Sequence, residues 1–136
     1  QNNMSRLQAL VKELNAENQI ILAGKQSDVD SYYLKSKIFA FTSSSEGFPN
    51  VIGEAQSAGL PVIAFDCIAG PADLIENNKN GYLIPLFDYA QFEEKLKHLM
   101  DNSCLCESMG NYAQITVKQF DAKSISKKFY TFILNQ

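Results

Sequence analysis

The chain has 136 residues, of which 46% are hydrophobic, and a formal net charge of -3 at pH 7. That is one domain's worth of sequence with enough apolar material for a core, and its 12 basic residues form no stripe that could neutralise a phosphate backbone, so nucleic acid is not an expected partner. No apolar run approaches the roughly 18 residues of a membrane span, and Gln1-Asn2-Asn3-Met4 lacks the regions of a secretory signal, which reads as a soluble, cytoplasmic protein.

In chain order, Leu7, Leu10, Val11 and Leu14 repeat at helical spacing, and Ile20-Ile21-Leu22-Ala23, closed by Gly24, reads as a short buried strand. A helix is expected from Asp28 to Ser36, then a strand over Ile38 to Thr42. After three serines, Pro49 stands where a first-turn proline belongs, Val51 to Ala58 continues as a helix, and Gly59 ends it. Pro61 opens a strand over Val62 to Phe65, Gly70-Pro71 starts a short helix through Ile75, and Asn80-Gly81 turns into a strand over Tyr82 to Ile84. The last third is helical, with faces marked by Phe92, Leu96 and Leu99, by a second helix starting near Leu105, and by Ile125, Phe129, Phe132 and Ile133. Short strands apolar on both faces and separated by helices predict a doubly wound α/β domain with a parallel sheet, with helices on both faces and a helical C-terminus. Ligands of such sheets bind outside the carboxyl ends of the strands, which selects the loops after Ala23, Thr42 and Phe65.

Cys67, Cys104 and Cys106 give neither an even disulfide framework nor a metal-ligand spacing with the single His98, so they read as reduced thiols and His98 as a helix-surface residue. No metal site is expected. The chemistry concentrates in Ser43-Ser44-Ser45-Glu46-Gly47-Phe48-Pro49-Asn50. A helix starting there offers the N–H groups of Asn50, Val51 and Ile52 to an anion, and Gly47 lets backbone approach a ligand or adopt positive φ. Glu46 in the loop and Glu54 inside the helix flank that start. A carboxylate beside a diphosphate is tolerable only where it accepts hydrogen bonds from hydroxyls, so the pair suits a nucleotide sugar better than a bare phosphate.

The run from Phe41 through Ala55, followed by Ala58-Gly59-Leu60-Pro61-Val62-Ile63, Asp66-Cys67-Ile68-Ala69-Gly70-Pro71 and Asn80-Gly81-Tyr82-Leu83-Ile84, closely resembles the C-terminal domain of glycosyltransferase family 4, of GT-B fold. The resemblance covers nearly the whole chain and implies a single truncated donor-binding domain over 1–136, Rossmann-like and lacking its first strands. It also implies a retaining transferase that takes a hexose or N-acetylhexosamine from a nucleotide sugar, commonly a UDP-sugar, without metal or other cofactor. By the same resemblance Glu46 is the catalytic candidate, holding hydroxyls of the donor hexose beside Gly47, Phe48 and Pro49, and Ser43 matches a serine common in the motif. Asn50 and Val51 would bind the diphosphate, Glu54 the ribose hydroxyls, and Gly24 and Lys25 would lie against the nucleobase.

The form of the motif looks most like members that build bacterial polysaccharides, which implies a glycan or lipid-linked acceptor, bound through a domain N-terminal to this one, and peripheral association of the whole protein with the inner face of a membrane. The family's diphosphate-clamping arginine and lysine have no match here, since Arg6 and Lys12 lie on a helix without the strand context, so this chain by itself is expected to be inactive. Loss of flanking strands would leave a sheet edge open to pairing between copies. A non-catalytic nucleotide-binding α/β module is the alternative. A receiver-like domain would need acids clustered around Asp66, and the sequence has none there.

Overall fold

The structure is a computed structural model that describes residues 3–134. It comprises two compact units, 1–30 and 31–136.

The first unit holds α1 (Asn3–Glu13). Asn15, with φ of 51°, ends this helix: its N–H reaches the Lys12 carbonyl and the Ala16 N–H reaches that of Val11, both at 3.0 Å, which is a Schellman closure. Residues 20–23 are not the buried strand their composition suggests. No ladder includes them among the described residues, and Ile20 and Ile21 are 44% and 87% exposed. Apolar β-branched residues become a strand only where a neighbouring strand takes up their backbone N–H and C=O groups, and among the described residues none does so here; the Ile20 N–H turns back to the Ala16 carbonyl instead.

The second unit contains α2 (Asp30–Lys35, whose first residue belongs to the other unit), β1 (Phe39–Phe41), α3 (Asn50–Ser57), β2 (Val62–Asp66), α4 (Pro71–Leu74) and β3 (Gly81–Pro85). Then follow α5 (Tyr89–Asp101), α6 (Ser103–Thr116), a 3-10 turn (Val117–Phe120) and α7 (Ala122–Leu134). The strands form one parallel sheet in the order β1-β2-β3, with Phe39 opposite Val62 and Val62 opposite Gly81. The expected parallel α/β sheet with helices on both faces and a helical C-terminus is therefore present.

Alternation along the strands divides the core. Val62 and Ala64 point with Phe41 toward Ile52 and Ala55 of α3, Leu74 of α4 and Tyr33 of α2. Ile63 and Phe65 point the other way, with Tyr82 and Ile84, toward Phe92 and Leu99 of α5 and Met109 of α6. Phe65 packs its ring 4.9 Å from that of Phe92 and 5.5 Å from that of Tyr89. Full burial of such side chains contributes about 1.5–3 kcal/mol each, which is why β2 reads as continuously apolar.

The N-termini of the C-terminal helices are capped by side chains: Asp88 accepts from the Gln91 amide, Asn102 from that of Leu105 and Asp121 from that of Ser124. The Ser124 hydrogen bonds hold the Asp121 carboxyl below its ordinary range. His98 is exposed, with Nδ1 3.0 Å from the Tyr82 hydroxyl, and Cys67, Cys104 and Cys106 are free thiols. Among the described residues no helix is long and apolar enough to cross a membrane.

Two glycines make opposite predictions. Gly53 lies inside α3, and a Cβ there would stand 3.8 Å from Cγ2 of Val117, an ordinary contact, so no crowding from the chain itself accounts for this glycine. Gly110 in α6 faces the Gly59 carbonyl so closely that a Cβ would collide with it. Gly53→Ala should raise unfolding free energy by about 1 kcal/mol, and Gly110→Ala should lower it by on the order of 1–3 kcal/mol, both read from urea denaturation.

Candidate functional site

The loop 42–49 leaves the carboxyl end of β1 and the loop 67–70 leaves that of β2, the adjacent strand. The loops stay together beyond the sheet. Ser45 and Ile68 form an isolated parallel bridge, and a Cβ on Gly70 would collide with the Pro49 ring. That close approach needs a residue without a side chain, and Gly70 also has φ of 126°. Ala69 before it has φ of 63°, a conformation that costs an L-residue roughly 1–2 kcal/mol. The β2 loop is therefore held against the start of α3 in a strained form.

Pro49 is buried and occupies the N-cap of α3 with φ of -82°, one position earlier than the sequence suggests. A proline has no N–H to lose there, and its fixed φ sets the entry of the chain. The first turn is tight: the Asn50 N–H donates to the Phe48 carbonyl at 3.0 Å and the Ile52 N–H to the Pro49 carbonyl at 2.9 Å. Of the three amides the sequence offers to an anion, two are thus already spent. Val51 is the one whose amide has no backbone acceptor among the described residues. Its exposed side chain sits on the same solvent-facing turn.

The two acids differ. Glu46 is half-buried in the loop, and Glu54 is exposed on α3, where its Oε2 accepts a hydrogen bond from the Tyr33 hydroxyl at 3.0 Å. Ser43 is half-buried, and Phe48 is exposed with its ring 6.5 Å from that of Phe120. Gly47 has open space where a Cβ would be and does not adopt positive φ, so nothing among the described residues requires a glycine there. Gly24, with φ of 65°, and the exposed Lys25 lie in the first unit, and their reading as a nucleobase loop rests on the sequence resemblance.

Between Ile38 and Asn78 there is no lysine or arginine, whereas Glu46, Glu54, Asp66, Asp73 and Glu76 all fall there. An anion at this edge must therefore rely on backbone dipoles or on cations from outside these loops. Among the described residues no group of three His, Cys, Asp or Glu side chains is placed to hold a metal ion.

Three residues that sequence reasoning passed over fix the elements around the sheet. Tyr33 lies 21 positions from Glu54, so no local pattern links them. Gln56 and Asn80 are fully buried, and both donate to the Leu74 carbonyl, at 2.9 and 3.1 Å. Asn80 further accepts from the Glu76 amide at 2.8 Å and bonds the Thr116 hydroxyl at 3.2 Å, so α3, α4, the turn before β3 and the end of α6 are pinned to one another. A glutamine beside Ala55 on the inner face of α3 was the available signal for Gln56; Asn80 was legible only as a turn residue.

Fold and loops together define a Rossmann-like domain whose loops converge at the carboxyl ends of β1 and β2. The chain belongs to the glycosyl transferases group 1 family, whose model matches residues 1–116, and its fold is that of the C-terminal domain of a GT-B glycosyltransferase. It is 30% identical over 128 residues to the N-acetylgalactosamine-N,N'-diacetylbacillosaminyl-diphospho-undecaprenol 4-alpha-N-acetylgalactosaminyltransferase of Campylobacter jejuni, covering 94% of this chain and 35% of the relative. The pneumococcal O-GlcNAc transferase GtfA, solved in complex with UDP and GlcNAc, matches with a TM-score of 0.81 and 29% identity over 96% of this chain and 27% of that one. The C-terminal domain of the group 1 glycosyl transferase LpcC from Francisella tularensis matches with a TM-score of 0.74 and 26% identity over 87% of this chain and 62% of that one. The chain spans between 14% and 35% of the length of the first curated relatives it matches.

Gly70→Ala should push the β2 loop off Pro49. The expected outcome is a loss of roughly 1–3 kcal/mol in urea denaturation, with amide shifts in an NMR spectrum concentrated on residues 45–52 and 67–72. Shifts spread evenly over the domain would contradict this local coupling.

Proposed function

We propose that this chain is the donor-binding domain of a retaining, family 4 glycosyltransferase that moves a hexose or N-acetylhexosamine from a UDP-sugar to a glycan or lipid-linked acceptor in bacterial polysaccharide assembly. The supporting observation is the junction of the two loops, where the Ser45–Ile68 bridge and the Gly70–Pro49 contact set the start of α3 and its flanking acids at the carboxyl edge of the sheet. In this reading Glu46 holds hydroxyls of the donor hexose, Glu54 accepts from the ribose hydroxyls, and the Val51 amide faces the diphosphate.

Breaking the bond from the anomeric carbon to the diphosphate oxygen moves negative charge onto the leaving group. A fixed N–H dipole at a helix start stabilises that charge more in the transition state than in the ground state. The acceptor hydroxyl oxygen forms the new bond to the anomeric carbon and passes its proton to the departing diphosphate oxygen, so the step needs no metal and no general base from this domain. Asn50 takes part through its side chain or only after its amide leaves Phe48, because that amide is already bonded. The acceptor and the cations that complete the diphosphate site come from elsewhere in the whole protein, which we place in the cytoplasm at the inner face of the membrane.

Titration with UDP, followed by amide shifts, tests the reading. Saturable shifts on residues 45–54 and 66–71 are expected, with affinity lowered roughly tenfold by Glu54→Ala, the scale of one hydrogen bond to a charged group. Saturable shifts confined to another face of the domain, or an affinity unchanged by Glu54→Ala, would contradict it.

A further inference from the structure

We infer that Tyr33 is a positioning residue for the donor site: its hydroxyl fixes the Glu54 carboxylate so that the carboxylate meets the ribose in one orientation. The inference rests on the donor-site reading of Glu54 given above.

Glu54 is exposed on α3, and an exposed glutamate ordinarily samples several rotamers. Here one of its oxygens is held. Tyr33 is 8% exposed, its ring meets Phe39 edge-on at 5.8 Å, and it belongs to the core cluster of Ile52 and Ala55 on the inner face of the helix that carries Glu54. The hydroxyl that emerges from this packed ring donates to Glu54 Oε2 at 3.0 Å. A tyrosine has only two side-chain torsions, and burial fixes both, so the donor is preorganised. Glu54 Oε1 and the remaining lone pairs of Oε2 are left as acceptors. A carboxylate that must accept from two neighbouring hydroxyls gains from such fixing, because rotamer entropy is then spent on folding rather than on binding.

The chemistry identifies what Tyr33 acts on. It does not touch the ligand, so its effect must pass through Glu54 and must depend on the ribose hydroxyls. UDP and 2′-deoxy-UDP differ in one of those hydroxyls alone. Tyr33→Phe keeps the buried ring and removes the hydroxyl that donates to Glu54, and Glu54, being exposed, regains water in its place, so the variant is expected to fold.

The experiment measures both nucleotides against the unsubstituted chain and Tyr33→Phe, and records side-chain order of Glu54 by carbon relaxation without ligand. The unsubstituted chain should prefer UDP. In Tyr33→Phe the order of Glu54 should fall, UDP affinity should drop roughly three- to tenfold on the scale of one such hydrogen bond, and the preference for UDP over 2′-deoxy-UDP should shrink toward unity. Unchanged Glu54 order overturns the inference whatever the affinities do. Parallel weakening of both nucleotides with the preference intact also overturns it, because that is the signature of a merely structural change. If the unsubstituted chain binds UDP and 2′-deoxy-UDP equally, the ribose reading of Glu54 itself fails and this inference falls with it, a failure visible before any variant is made.

Discussion

β2 is the element to which the others are fastened. It is buried on both faces and paired on both sides, so each of its backbone polar groups needs a strand partner and each of its side chains needs a helix above or below. Val62 and Ala64 take up α3 and α4, Ile63 and Phe65 take up α5 and α6, β3 is registered against all five residues of the strand and β1 against the first three. A slip of one residue would exchange the two cores. The carboxyl end of β2 is consequently a fixed point, and the loops that leave it and β1 inherit that rigidity.

What the sequence made legible follows from the same constraint. Continuous apolar runs mark candidate strands whether they are buried on both faces, as β2 is, or on one, as β1 is, so β1, β2 and β3 were readable within a residue or two, as were the helices between them, with Asn80-Gly81 and Gly59 marking turns. The run at residues 20–23 carried the same signal without the partner that gives it meaning. Apolar character states what a segment can do, and pairing decides whether it does so. The loop 43–49 and the start of α3 were likewise placed by composition, but the accounting of donors there was not. Pro49 at the cap draws the first turn tight, and tight turns use amides that a regular helix start would leave free. The roles of Tyr33, Gln56 and Asn80 in fixing neighbouring elements were illegible because their partners lie far away in sequence or are backbone carbonyls, which leave no trace in residue type.

The electrostatics of the edge follow from composition over 38–78, where acids occur without a single lysine or arginine. A site built this way has a negative bias before any ligand arrives. Its acids are useful where hydroxyls meet them, and its tolerance of phosphate depends on dipoles and on charges brought by other parts of a protein. The buried network around the Leu74 carbonyl lies at the other end of the sheet, where Asn80 directly precedes β3, and it ties α4 to α3 there through neutral groups alone.

The three thiols differ in environment, and this opens a practical route to observing the domain. Cys67 is buried, and Cys106 donates its Sγ–H to the Lys37 carbonyl at 3.1 Å with burial pushing its thiol up, whereas Cys104 is exposed at the start of α6. Since the thiolate is the reacting species, a maleimide dye meets Cys104 first. Lys37 lies just before β1, at the amino end of the strands, so a fluorophore on this part of α6 would report from the end of the sheet opposite the loops and leave them unobstructed.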